Sequence, residues 1–272
     1  MGARLCFYLA ADCFRCRHDA LFIQAQGVVL KTQNKTLRLS KLLPITVPKQ
    51  PSETTCGPTC LYATYQYYGH KTDLDSVIRE VRVLDEGGTL GVAIGLHALD
   101  AGFKVSICNY NLALFDPTWF SLESRDLIEK LRSQRDVKAK SKLQLASEYY
   151  IEFLEKGGRV FHQELSGKLI ARAISHGIPV LTGLSATYLY QTSREIGDDC
   201  RSDDIYGEPQ GHFVVISGYD LKKKTLKISD PFKGNPHGGT QDYNLPSRRV
   251  LSSILLGIVT YDANLLFIEP RE

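Results

Sequence analysis

The sequence predicts an α+β fold. Helical periodicity dominates the front of the chain, and strand-like runs dominate the back. Two β-rich runs flank a short lysine turn in "GHFVVISGYDLKKKTLKISDPF" (211–232), which reads as a hairpin. There is no self-similarity at a 20–50-residue period, and strands do not alternate regularly with helices, so neither a solenoid nor a doubly wound sheet is expected.

Residues 1–40 differ from the rest. They carry three of the seven cysteines and one weak strand pattern, "GVVLKT" (27–32), and are read as an N-terminal extension with no assigned order. Residues 41–272 form the main domain. It opens on a proline-marked extended segment, "LLPITVPKQ" (42–50). A helix is expected over 57–68, "GPTCLYATYQYY", with Pro58 in its first turn, Leu61, Tyr65 and Tyr68 on one face, and Gly69 just past its end. "LDSVIREVRVL" (74–84) and "GVAIGLHALDAGF" (91–103) read as further helices, and "KVSICNY" (104–110) as a strand. The charged stretch 121–156 reads as helical throughout. A helix over 166–177 is stopped by Gly177 and Pro179, and "PVLTGLSATYLY" (179–190) reads as one strand. A Gly- and Asp-rich loop, Thr192–Gln210, leads into the hairpin, and 255–269 gives one or two last strands.

A net charge of +3, with scattered positive residues, is too small to argue for nucleic acid or a membrane surface as partner, and no nucleic acid is expected. No apolar run reaches about 18 residues, so no transmembrane segment is expected. "MGARLCFYLAADCF" is too short and too interrupted by Asp12 for a signal peptide. Seven cysteines in a chain of 272 residues point to reduced thiols and a cytoplasmic location.

Candidate chemistry centres on Cys56. It directly precedes the helix at 57–68, whose positive dipole end favours a thiolate, while Cys60 lies one turn inside and reads as core packing. A cysteine nucleophile needs a base, and His212 opens a strong strand after a glycine. Folding the hairpin at the lysine turn brings Asp230 to the same end as His212, where a carboxylate can orient the imidazole. Other motifs have plainer readings. Cys13-x-x-Cys16 with Cys6 and His18 lacks a second ligand pair for zinc. "EGGTLG" (86–91) reads as a turn before a helix, and "GDDCRSDD" (197–204) as a solvated loop.

"Q-x5-C-G-P-x-C", a distant "G-H-F-V-V-I-x-G-Y-D" and then "S-D-P-F" resemble the papain-like cysteine peptidases. Within them the motifs are most similar to the bacteriocin-leader, double-glycine peptidases and their stand-alone bacterial relatives. The resemblance spans Pro44–Glu269 and implies a papain-like fold, with a nucleophile helix packed on an antiparallel sheet. It implies that Cys56 is the nucleophile, His212 the general base, Asp230 the orienting residue and Gln50, six residues before Cys56, a donor to the oxyanion. The expected activity is cleavage of an amide bond in a peptide or protein substrate, with no cofactor or metal. The bacteriocin enzymes are usually fused to a transporter, and no G-x-x-x-x-G-K-[ST] loop is found in these residues. An acyl transferase with the same triad, or an inactive binding module of the same fold, are the alternatives. The Thr192–Gln210 loop is expected to gate substrate over the cleft.

Overall fold

A computed structural model describes residues 38–271 apart from Glu86, Asp198 and Asp199. The 27–32 strand pattern and the Cys6, Cys13, Cys16 and His18 set lie outside the described residues. Residues 36–272 group as one unit. In chain order its elements begin with β1 (Ser40–Leu42), α1 (Cys56–Tyr67), α2 (Leu74–Glu80), α3 (Gly91–Asp100) and β2 (Phe103–Asn109). Next come α4 (Ser124–Val137), α5 (Ser141–Glu155), β3 (Arg159–Phe161), α6 (Gly167–Ser175) and β4 (Val180–Ser185). Then follow α7 (Ala186–Tyr190), β5 (Glu195–Ile196), β6 (Arg201–Ser202), β7 (Gly211–Asp220) and β8 (Thr225–Ser229). The last are β9 (Asp242–Pro246), α8 (Ser247–Leu256) and β10 (Asn264–Pro270).

The main sheet runs β3-β2-β10-β4-β7-β8-β9, with β1 paired to the far end of β7. All of its pairings are antiparallel except β2 with β3. Strand β7 is buried from His212 to Tyr219, because helices cover both of its faces. Phe213 and Val215 join the core built around α1 and α3, while alternate residues Val214 and Ile216 point the other way. Helix α1 is accordingly buried on nearly all sides, and its interior threonines are satisfied locally: Thr59 donates to the Thr55 carbonyl at 2.7 Å and Thr64 to that of Cys60 at 2.9 Å. Gly69 ends the turn after α1 at φ +72°.

The β7–β8 register fixes the geometry that matters most. Val215 lies opposite Ser229, so one step further places Asp230 opposite Val214. His212 is two residues from Val214, so its side chain leaves the same face of the sheet as that of Asp230. A bulge between Ile216 and Gly218 breaks the register further along. At Gly218 the strand comes so close to β1 that a Cβ would sit 2.9 Å from the Lys41 carbonyl oxygen.

Several expected elements are corrected. The helix expected over 74–84 ends at Glu80, because Val81 turns extended to bury its side chain and the Arg82 carbonyl is taken by the Thr89 hydroxyl at 2.6 Å. The stretch 121–156 is two helices, broken at Lys138–Lys140. The break lets the apolar stripes Leu127–Leu131 and Leu143–Ala146–Tyr150 fold against one core. The strand expected over 179–190 stops at Ser185, whose hydroxyl caps Tyr188 N–H at 3.3 Å and starts α7. Residues 255–263 end α8 and form a turn of 3₁₀-helix, so β10 is the one strand in the tail. Strands β1, β3, β9 and helix α8 had no sequence-level expectation. Among the described residues, no helix is long and apolar enough to cross a membrane.

Candidate active site

Cys56 is the first residue of α1, and its neighbour Gly57 explains how the helix start gets so deep into the protein. A Cβ at Gly57 would lie 2.7 Å from Thr89 Cγ2, 2.9 Å from Ile94 Cδ1 and 3.2 Å from Phe213 Cδ2. Only a residue without a side chain lets the turn settle between the α3 approach and β7. The helix is not capped by a side chain. Thr55 Oγ1, in the capping position, donates to the Ser52 carbonyl at 2.9 Å. In the first turn, the Thr59 N–H donates to the Thr55 carbonyl at 3.0 Å and Pro58 has no N–H, while the N–H groups of Cys56 and Gly57 have no partner within the helix.

His212 and Asp230 meet as the register requires. His212 Nε2 and Asp230 Oδ1 are 2.8 Å apart, with His212 only 8% exposed and Asp230 0%. His212 also hydrogen-bonds the Cys56 side chain, and Nδ1 is the ring nitrogen left for that bond. The imidazole therefore bridges the thiol and the carboxylate. Burial alone would push the imidazole down. The negative charge of Asp230 and the contact with Cys56 outweigh it and raise His212 to about 10. In the partner the balance is reversed in sign. Burial would raise Asp230, but His212 and the hydrogen bonds to its carboxylate hold it below the ordinary range. Both shifts describe one charged pair.

Four donors surround Asp230. The Phe232 N–H donates to Oδ1 at 2.8 Å, while Oδ2 accepts from Tyr190 at 2.7 Å and from Tyr243 at 2.6 Å. Its main chain is held too: its N–H donates to the Gln241 carbonyl at 2.8 Å, and Gln241 Nε2 donates to its carbonyl at 3.2 Å. Neither tyrosine was expected from the sequence. Tyr190 sat in a segment read as strand, and Tyr243 in one not assigned. The cap at Ser185 was the one local signal for a helix that presents Tyr190.

Gln50 is 5% exposed and sits beside the turn that follows Asp230, where its backbone N–H donates to the Pro231 carbonyl at 3.0 Å. Its side-chain amide donates one N–H to the Ser52 carbonyl at 2.9 Å, and a second N–H remains. Its Oε1 is buried without a hydrogen-bond partner among the described residues. Cys60 is fully buried and donates its S–H to the Phe213 carbonyl at 3.3 Å, tying α1 to the strand that carries His212. Burial, with the negative charges of Cys56 and Asp230 nearby, pushes its thiol up. It is a packing group, as expected.

The Thr192–Gln210 loop is not featureless: β5 and β6 pair as a small ribbon, and Glu195 also pairs with Glu208. With α7, the end of α8 and the 3₁₀ turn after it, it borders an open pocket of about 510 Å³, lined among others by Ser185, Tyr188, Arg194, Leu256 and Val259. The Gly91 N–H at the start of α3 donates to Asp262 Oδ1 at 2.8 Å. Among the described residues, no group of three or more His, Cys, Asp or Glu side chains is placed to hold a metal ion.

Residues 27–251 match the family described as the Peptidase_C39 like family. The chain belongs to this family. Its fold is the papain-like α+β arrangement, with the helix that carries Cys56 packed on an antiparallel sheet. Solved structures similar to it include a C39-like peptidase from Bacillus anthracis, at 14% identity and a TM-score of 0.46, covering 86% of this chain and 98% of that one. A double glycine motif protease from an AMS/PCAT transporter, solved with its leader peptide, aligns at 16% identity and a TM-score of 0.41, covering 85% and 94%. Xylellain, a cysteine protease from Xylella fastidiosa, aligns at 14% identity and a TM-score of 0.42, covering 87% and 88%. No curated protein matches the chain.

Proposed function

We propose that the protein is a cysteine peptidase that cleaves an amide bond of a peptide or protein through Cys56, His212, Asp230 and Gln50. The observation that carries this is the single imidazole bridging Cys56 and a fully buried carboxylate. His212 takes the Cys56 proton, and the thiolate attacks the amide carbonyl carbon. The resulting oxyanion is held by the second N–H of Gln50 and by an open backbone N–H at the start of α1. His212, raised to about 10, is protonated at neutral pH and gives its proton to the departing amine. That leaves a thioester on Cys56. Water then attacks it, losing its proton to His212, and the carboxylate product leaves with the thiolate restored. Asp230 keeps the imidazole in one tautomer and orientation throughout. The ribbon at Thr192–Gln210, which runs into the strand of His212, gates the substrate.

Limiting iodoacetamide, with labelled cysteines mapped by mass spectrometry, tests the site in wild type and His212→Ala. Cys56 should label selectively in wild type and slow sharply in the variant, with circular dichroism checking that both are folded. Equal labelling of several cysteines, unchanged by the substitution, would defeat the mechanism. Adding a primary amine to a turnover assay separates hydrolysis from acyl transfer by the product formed.

A further inference from the structure

The two oxygens of Asp230 have divided their work. Oδ1 faces His212 and the Phe232 N–H. Oδ2 is held by two phenols, at 2.7 Å from Tyr190 and 2.6 Å from Tyr243. The terminal torsion of an aspartate is broad and roughly two-fold, so a carboxylate held at one oxygen alone turns easily. A turn about Cβ–Cγ would carry Oδ1 away from His212 Nε2. We propose that Tyr190 and Tyr243 are positioning residues: by fixing Oδ2 they lock the carboxylate plane, and so aim His212 at Cys56. The proposal rests on the reading of His212 as the base that serves Cys56.

The surroundings fit a clamp rather than two phenols that happened to find an acceptor. The tyrosines come from different elements, α7 and β9, so the carboxylate is gripped by both the helix that leads into the 192–210 ribbon and the sheet. Their rings are themselves fixed by His237, whose centroid lies 4.4 Å from that of Tyr243 and 6.0 Å from that of Tyr190. The turn bearing His237 is tied by Asn235, which donates to the carbonyls of Phe232 at 2.7 Å and Thr240 at 3.0 Å. Burial and the Asp230 charge push both phenols well above the ordinary tyrosine range, so both are protonated donors at neutral pH. The other titratable groups facing Asp230 are His212 from β7, Cys56 and Cys60 from α1, and His237.

Tyr190→Phe, Tyr243→Phe and the double variant remove only oxygen and keep the ring packing. The probe is the rate of Cys56 alkylation by iodoacetamide as a function of pH, which needs no substrate. Each hydroxyl stabilises the charged carboxylate, so its loss should move the acid limb of the profile up by about one pH unit. The neutral-pH rate should fall roughly tenfold in each single variant and further in the double. Profiles that superimpose on wild type would overturn the proposal. So would a lowered melting temperature with an unmoved profile, since that is a packing role only. If His212→Ala leaves wild-type alkylation unchanged, the site reading itself has failed. If it slows alkylation while the phenylalanine variants do not, only the clamp has failed.

Discussion

Among the described residues two carboxylates are buried, and they behave in opposite ways. Asp230 is 0% exposed and Asp262 is 7% exposed, so both carry a large desolvation cost. Asp230 meets it with four short hydrogen bonds, one of them to a cationic imidazole, and stays below the ordinary carboxylate range. Asp262 has one short bond, from the Gly91 N–H at 2.8 Å, and a long one from Asn264 Nδ2 at 3.5 Å. Burial dominates there, and these bonds with distant Lys142 only moderate it, so the group rises to about 7. Depth does not decide whether a buried acid is charged. A cationic partner beside it, and then the donors aimed at it, do. The Asp230 charge is the one the proposed mechanism uses, whereas Asp262 accepts from the Gly91 N–H at the start of α3.

Substitutions can break this contrast, and the largest effect is expected from Asp230→Asn. It removes the charge that holds His212 protonated and offers an amide N–H where the ring needs an acceptor. Cys56 alkylation and peptide turnover should drop by roughly a thousandfold or more in rate assays. Wild-type stability should also show the Asp230 signature. Because its folded value is depressed, its contribution is present above about pH 4 and is lost as pH falls through the folded value. Melting curves from pH 7 down to pH 3 should therefore fall less steeply in the variant.

Asp262→Asn should act with the opposite sign and a smaller size. A carboxylate raised to about 7 keeps its proton in the folded chain while the unfolded chain loses it, so stability falls as pH rises from about 4 to 7. The amide removes that slope. It can also donate to Asn264 Oδ1, which is buried without a partner among the described residues. The variant should match wild type near pH 4 and melt higher at pH 7 and above, with Cys56 alkylation unchanged. A lower melting temperature at pH 8 would contradict this account of Asp262. The smallest effect belongs to Gly183→Ala, between the two regions. Its Cβ would lie 2.5 Å from Asp262 Cβ and 3.0 Å from Phe213 Cε1. Such crowding costs about 1–3 kcal/mol, readable in a denaturant titration.

What the sequence disclosed follows the same division between local and distant causes. Cys56 before a helix, and Asp230 at the same hairpin end as His212, depend on neighbours in sequence or on one turn, so residue order was enough to place them. The tyrosines depend on partners 40 and 13 residues away and belong to elements whose form is set by packing. Alternation in "PVLTGLSATYLY" continues as a strand pattern past Ser185, but the serine cap and the packing of Leu189 in the core redirect the chain. Val81 and the Lys138–Lys140 break are similar cases, in which the helical pattern runs on and tertiary contacts stop it. Gly57 was visible as a residue, yet its need for closeness to Thr89, Ile94 and Phe213 is legible only once those three are in place.

Strand β10 has a consequence for how the protein is made. It lies between β2 and β4, pairing with β2 along Asn264–Pro270 and with β4 along Asn264–Phe267. The sheet thus joins its earlier and later strands through residues translated after both of them. Until residues 264–270 leave the ribosome, β2 with β3 and β4 with β7 expose unpaired edges where that strand belongs. Pairings this far apart in sequence close slowly. Synthesis therefore passes through a stage in which Cys56, His212 and Asp230 have all been made while the sheet beneath them is still in two pieces.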